Sequence, residues 1–146
     1  MVSLTLSHPR FEFCDIQRLL TALLSVETGG HKEPELALGE SGELGPYQIT
    51  EAFYLDAKAE LELRWDVEVP PFQVACTSYH WSAALIAGYW LRYTDNIPSL
   101  EELARLFHGG PEWSSKEHTK AYWHKVMEHL YAFDPQICLF DMEVSS

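Results

Sequence analysis

Hydrophobic residues recur at helical spacing near the start of the chain. From Cys14 to Thr28 the apolar positions lie three or four residues apart, as they do on one face of a helix. They are Ile16, Leu19, Leu20, Leu23, Leu24 and Val26. Gly29-Gly30 follows as a stop signal, so the pattern predicts a first helix that ends at Thr28. Proline and glycine interrupt any period over residues 31–44, which we predict to be a loop.

The remaining pattern predicts four more helices, after a short extended piece around Tyr47 and Ile49. Thr50 is a candidate N-cap for the second helix, while Pro98-Ser99 and Ser114-Ser115 open the last two. The third helix is so apolar that we expect it to be central. These four helices should cover residues 51–59, 74–93, 99–108 and 115–131. The prediction is a mainly α fold of about five helices with little or no β structure.

Composition and charge narrow the class of protein. The chain has 146 residues, of which 47% are hydrophobic and 13% aromatic, including five tryptophans. This is enough to bury one core but short for two, so residues 1–146 should form a single globular domain. The formal net charge is −12, and such a surface repels phosphate, which argues against nucleic acid as a partner. The same charge argues against tight adsorption to an anionic bacterial wall.

The sequence predicts no disulfide framework, no metal site, no signal peptide and no membrane span. Cys14, Cys76 and Cys138 are odd in number and lack CxxC or Cys/His spacing, so neither a disulfide framework nor a zinc site is expected. The histidines form no HExxH set, and we predict no metal and no cofactor. MVSLTLSHPRFEF lacks the features of a signal peptide, and no segment reaches the roughly 18 apolar residues of a membrane span. We expect a soluble chain, cytoplasmic as given or exported by a non-classical route.

Glu27 stands out on the first predicted helix. At about 100° per residue, Ile16, Leu20, Leu23 and Glu27 fall within one narrow arc, so Glu27 continues the apolar stripe. Burial and the negative end of the helix dipole should both raise the pKa of its carboxyl group. A protonated acid near neutral pH is what glycoside hydrolysis needs, because the leaving sugar oxygen must receive a proton. The alternative is a glutamate that rotates into solvent at a frayed helix end.

Three ordered segments resemble one family. They are Val26-Glu27-Thr28-Gly29-Gly30, the run LGPYQITEAFYLD at 44–56, and ARLFHGGP at 104–111 with Thr119, Tyr122 and Trp123 downstream. They resemble the Glu-Ser-Gly, Gln-Ile and Asn-Gly-Gly-Pro segments of the invertebrate-type (destabilase-like) lysozymes, and more loosely those of the lytic transglycosylases. The segments keep the family's order and span most of the chain, from about residue 20 to 130.

The resemblance implies a lysozyme-like fold with a cleft between the first helix and the later helices. It also implies a muramidase-like glycosidase that cleaves a β-1,4-linked amino-sugar polymer such as peptidoglycan, with Glu27 as general acid. The substrate-binding residues that it suggests are Tyr47, Gln48, His108, Gly109, Gly110 and Tyr122, and the position of Trp113 in a predicted loop just after Gly-Gly-Pro adds that residue as a candidate. Gln48 offers a donor and an acceptor to sugar groups, and Trp113 a stacking surface. The Gly-Gly-Pro turn admits a bulky ligand or simply ends a helix.

The family's second carboxylate, an aspartate in the loop before the Gln-Ile segment, has no clear match. Its position falls near Leu38, with Glu40 two residues further on and Glu43 beside the turn, and we take Glu40 as the candidate. A separation of about 5 Å from Glu27 would suit a retaining mechanism, and about 6.5–9.5 Å an inverting one. With neither carboxylate near, the single-acid mode of lytic transglycosylases remains.

Two further departures leave a second function open. The family is rich in disulfides and this chain is not, and His108 stands where the family has asparagine, which would make binding pH-dependent. The acidic surface and the missing aspartate favour the alternative of a catalytically silent glycan- or protein-binding module on the same scaffold.

Overall fold

The computed structural model describes residues 13–29, 31–94 and 98–130, most of which are helical. The α-helices are α1 (Phe13–Thr28), α2 (Glu51–Trp65), α3 (Phe72–Ala75), α4 (Tyr79–Tyr93), α5 (Leu100–Gly109) and α6 (His118–Leu130). Short 3-10 helices occupy Pro34–Leu36 and Trp113–Ser115. In these ranges there is no strand, only isolated bridges that pair Leu44 with Leu38 and with Ile49. The predicted mainly α class is confirmed.

Side-chain caps fix where the helices begin. The Thr50 hydroxyl accepts a hydrogen bond from the Phe53 amide at 3.2 Å, and Ser99 does the same for the Glu102 amide at 3.1 Å. Both residues are extended N-caps of the kind that satisfies an otherwise unpaired amide in the first helical turn. The starts of α2 and α5 therefore agree with the sequence prediction.

The prediction of one continuous helix over 74–93 was wrong. The chain forms the single turn α3, leaves the helical path at 76–78 and starts again as α4. Ser78 is the cause, since it is extended and its hydroxyl accepts from the Trp81 amide as an N-cap. The Thr77 hydroxyl donates back to the Gln73 carbonyl at 2.7 Å and helps to close the end of α3.

The core centres on α4, as its apolar sequence predicted. Its buried residues are Ser82, Ala83, Ala84, Leu85, Ile86, Gly88, Tyr89 and Trp90. Helix α4 packs against α2, where Gly88 allows close approach because a Cβ there would lie 2.9 Å from Leu61 Cδ2. Helix α5 contacts α4, α6 and α1, and α6 also packs along α1. These contacts hold the end of α1 beside α5 and α6.

Cys76 is free and buried in the core. The Cys14 side chain and Cys138 lie outside the described residues, so the expectation of unpaired thiols stays a prediction for them. In the described ranges, no helix has the length and hydropathy to cross a bilayer. The same residues contain no group of three His, Cys, Asp or Glu side chains arranged to hold a metal ion.

Candidate functional site

The loop between α1 and α2 folds into a tight double turn. Leu44 and Ile49 exchange backbone hydrogen bonds of 3.0 Å, and the Gly39 amide donates to the Glu43 carbonyl at 2.8 Å. Gly45 has φ +78°, and a Cβ on it would lie 1.8 Å from the Cys76 carbonyl oxygen. Only glycine fits there, and the loop is thereby held against the end of α3.

The Gln48 side chain holds this loop together through hydrogen bonds to two of its backbone carbonyls. Its Nε2 donates to the carbonyls of Ala37 at 3.2 Å and Gly45 at 2.9 Å, and its backbone adopts the left-handed conformation at φ 51°. The amide hydrogens of Gln48 are therefore committed to the protein. Of the donor and acceptor that the sequence suggested for a sugar, only Oε1 remains to face a ligand.

Glu27 lies in the last turn of α1 and is half-buried. Ile16, Leu20 and Leu23 on the same stripe are fully or almost fully buried, so Glu27 follows them towards the interior as the helical wheel predicted. Its Oε2 accepts a hydrogen bond of 2.6 Å from the Tyr122 hydroxyl on α6. This contact joins two residues 95 positions apart and excludes the alternative of a glutamate turned out at a frayed helix end.

Burial raises the pKa of Glu27 above its ordinary value of 4.5. The nearby negative charge of Glu43 raises this pKa as well, whereas the hydrogen bond from Tyr122 and the positive charge of Lys125 lower it. Burial is the largest of these effects, as expected for a carboxylate moved out of water. The result is a carboxyl group that keeps its proton at a higher pH than an exposed glutamate.

A cleft of about 630 Å³ opens beside this carboxyl group. The structure brings together five of the predicted site residues in its lining: Glu27, Gln48, His108, Gly109 and Gly110. Pro111, next to the two glycines, also lines the cleft. A second groove of about 400 Å³, which includes Leu38, shares Glu27 and Gln48 with the first. Glu27 therefore stands where the two grooves meet.

His108 covers Tyr122. The two rings stack at 3.9 Å between centroids with an interplanar angle of 8°, while the rest of His108 is exposed. Burial of this stacked face lowers the pKa of His108, and the neighbouring His118 and Lys125 lower it further. The imidazole is thus neutral near neutral pH and offers one donor and one acceptor at the cleft wall.

The Gly109-Gly110 turn both ends α5 and shapes the cleft. The Gly110 amide donates to the Leu106 carbonyl at 2.8 Å as a helix C-cap, and Gly110 has φ +82°. A Cβ on Gly109 would lie 2.5 Å from Thr119 Cγ2. The same residues therefore end α5 and form part of the cleft wall.

Three predicted binding residues do not line the cleft. Tyr47 is buried and faces a separate, smaller groove with Tyr79 and His80, because the double turn directs it towards α4. Trp113 packs against the core, with the Arg105 guanidinium 4.7 Å from its ring centre, which leaves that face closed to a sugar. Tyr122 is buried and acts through its hydrogen bond to Glu27.

Glu40 is not part of the cleft lining. It is exposed within the turn that the Gly39–Glu43 hydrogen bond closes, and the turn brings Glu43 back to the cleft instead. The carboxylate of Glu43 lies against Gly39, where a Cβ would be 1.8 Å from Glu43 Oε2. The glycines at 39 and 42 were the sequence signal for this reversal.

Sequence reasoning also missed a third carboxylate and an aromatic pair. Asp56, Phe53 and Tyr89 also line the cleft. Phe53 and Asp56 share one face of α2 at a spacing of three residues, which was visible as a pattern but not distinguishable from core packing.

Comparison with known proteins finds no family model that matches the chain and no curated protein that is similar to it.

Proposed function

We propose that this protein is a lysozyme-like glycosidase that cleaves a β-1,4-linked amino-sugar polymer such as peptidoglycan, with Glu27 as general acid. One observation carries the proposal: a half-buried carboxyl group with a raised pKa stands where two grooves meet. A polymer that lies through both grooves would present the bond between two of its sugars to Glu27. Such a position suits cleavage within a chain better than binding of a single sugar.

The protonated Glu27 donates its proton to the glycosidic oxygen as the carbon–oxygen bond breaks. The hydrogen bond from Tyr122 is already in place and becomes stronger when Glu27 turns into a carboxylate, because the acceptor is then charged. Burial and the nearby Glu27 carboxylate raise the pKa of Tyr122, so its hydroxyl remains a donor. Tyr122 is therefore a positioning residue, which holds Glu27 in place and stabilises the form that the reaction produces.

Glu43 takes the place of Glu40 as the second carboxylate in this proposal. It lines the same cleft and lies near enough to Glu27 to raise its pKa. Its negative charge is suited to stabilise the positive charge that develops on the sugar ring or to activate a water. His108, the glycines of the adjacent turn and Gln48 Oε1 provide the remaining polar wall.

The experiment is to incubate the protein with purified peptidoglycan and with a neutral β-1,4-linked N-acetylglucosamine polymer, and to identify soluble fragments by mass. Fragments with a reducing end indicate hydrolysis, whereas 1,6-anhydro ends indicate transglycosylation with Glu27 as the single acid. If the protein binds these polymers and releases no fragment, the glycosidase proposal fails and the silent binding module takes its place.

A further inference from the structure

The cleft beside Glu27 carries an unbalanced charge. Its lining includes the carboxylates of Glu43 and Asp56 in addition to Glu27, and none of the lining residues is a lysine or an arginine. Two cations lie nearby but outside the lining: Lys125, which lowers the pKa of Glu27, and Arg92, whose guanidinium lies 5.4 Å from the centre of the Tyr93 ring. A ligand in the cleft therefore meets two negative charges besides the proposed general acid.

Asp56 is held in a defined orientation at this wall. The Tyr93 hydroxyl donates to its Oδ2 at 2.7 Å, while Oδ1 accepts no hydrogen bond from the residues that the structure describes. Burial and the contact with Asp56 raise the pKa of Tyr93 and Arg92 lowers it; the pKa is raised on balance, which keeps this hydroxyl a donor. Asp56 therefore presents one carboxylate oxygen that is free to accept from a ligand.

An aromatic pair lines the cleft together with Asp56. The rings of Phe53 and Tyr89 stack at 3.9 Å between centroids, and both residues line the cleft. Tyr89 is only 4% exposed and its ring is stacked on Phe53, so the pair forms an apolar wall beside Asp56 and not an open ring face. At this wall an ammonium group would gain a charge-assisted hydrogen bond to Asp56, which a neutral amide of similar size would not gain in full.

We propose that the cleft selects a β-1,4-linked glucosamine polymer whose 2-amino groups are free and protonated, with Asp56 as the specificity-determining residue. This inference rests on the proposed glycosidase function and names its substrate class. The net charge of −12 supports it, because the protein as a whole attracts a polycation and repels a polymer that carries carboxylates. An N-acetylated sugar would desolvate Asp56 without supplying a counter-charge.

The test compares three β-1,4-linked polymers at mildly acidic pH and low salt: fully N-acetylated polyglucosamine, the same polymer after de-N-acetylation, and purified peptidoglycan. The full chain should cleave the de-N-acetylated polymer about tenfold more efficiently than the acetylated one, the scale of one hydrogen bond to a charged group. Peptidoglycan should be cleaved slowest of the three. Added salt should reduce the rate on the cationic polymer and leave the neutral polymer unaffected.

Asp56→Asn is the decisive variant, since asparagine keeps the shape and a carbonyl that accepts from Tyr93. It should reduce the ratio of kcat/KM on the cationic polymer to kcat/KM on the neutral polymer by about tenfold. Glu128→Gln is the matched control, because it removes the same charge from an exposed position on α6 outside the cleft lining. That control should keep the preference for the cationic polymer.

Equal cleavage of the neutral and cationic polymers overturns the inference and leaves the proposed glycosidase intact. So does an equal effect of Asp56→Asn and Glu128→Gln, which would assign the preference to overall charge. If Asp56→Asn does not fold, the salt dependence of the wild-type protein decides, and a rate on the cationic polymer that salt does not change overturns the inference. Failure to cleave any of the three polymers overturns the proposed function itself.

Discussion

Removing the hydroxyl of Tyr122 should raise the pKa of Glu27 further. Tyr122→Phe deletes the donor of the 2.6 Å hydrogen bond to Glu27 Oε2 and keeps the ring that stacks on His108. This hydrogen bond lowers the pKa of Glu27 in the folded protein, whereas burial raises it. Without the hydroxyl, the effect of burial has less to oppose it.

The size of the shift follows from the strength of the contact. A hydrogen bond to a charged group contributes about 1.5–3 kcal/mol, so Tyr122→Phe should disfavour the ionised form of Glu27 relative to the protonated form by about that free energy. Glu43 and Lys125 act on Glu27 equally in both proteins and do not alter the difference. The variant should also be less stable. Because its folded-state Glu27 pKa is higher, Tyr122→Phe should lower the free energy of unfolding more at a pH above the Glu27 titration than at a pH below it.

The measurement is a carbon NMR titration of the Glu27 carboxyl group, identified by the resonance that is missing in Glu27→Gln. Tyr93→Phe is the matched control, because it removes a hydroxyl that donates to Asp56 at 2.7 Å, and it should leave Glu27 unchanged. An unchanged or lower Glu27 pKa in Tyr122→Phe would refute the assignment of this hydrogen bond to the ionised carboxylate. The high-pH limb of any cleavage activity should move upwards together with the NMR value.

Two further predictions concern stability. The pKa of Glu27 in the folded protein lies above the unfolded value of 4.5, so the wild-type protein loses stability as the pH rises through the range between these two values. Glu27→Gln should therefore be at least as stable as the wild type at neutral pH and should lose this advantage well below pH 4.5. Urea unfolding at both pH values checks this, and a variant that is less stable at neutral pH would speak against it. Gly45→Ala should be more destabilising than Gly42→Ala. Both positions have positive φ, which alone costs an alanine about 1 kcal/mol or more. Only at Gly45 would the new Cβ also meet the Cys76 carbonyl. Equal urea midpoints for the two alanine variants would contradict the close approach.

The periodic parts of the sequence predicted the fold well, and the turns predicted it less well. The stripe from Ile16 to Glu27 placed the carboxyl group correctly because a helix fixes which residues share a face. The break at Ser78 was missed, since an apolar run continues on both sides and a single capping hydroxyl decides the outcome. Hydrophobic periodicity cannot register such a local competition between backbone and side chain.

The candidate site was predictable where it depended on position along a helix and unpredictable where it depended on a loop. Glu27 and His108 lie in the last turns of α1 and α5, and both line the cleft. The choice of Glu40 over Glu43 depended on the direction of a turn that two glycines reverse. Trp113 was predicted to be a sugar-stacking surface because the sequence could not show that its ring packs against Arg105. The two residues are eight positions apart and belong to different elements.

The central claim is that the Glu27 carboxyl group breaks a glycosidic bond. The most direct test compares the wild-type protein, Glu27→Gln and the control Glu128→Gln for release of soluble fragments from insoluble β-1,4-linked amino-sugar polymers, with thermal melting to establish that all three are folded. Glutamine keeps the shape of the side chain and removes the proton donor, so Glu27→Gln should release fragments at least about 100-fold more slowly, while Glu128→Gln should match the wild type. A folded Glu27→Gln that degrades the polymer at the wild-type rate would contradict the claim.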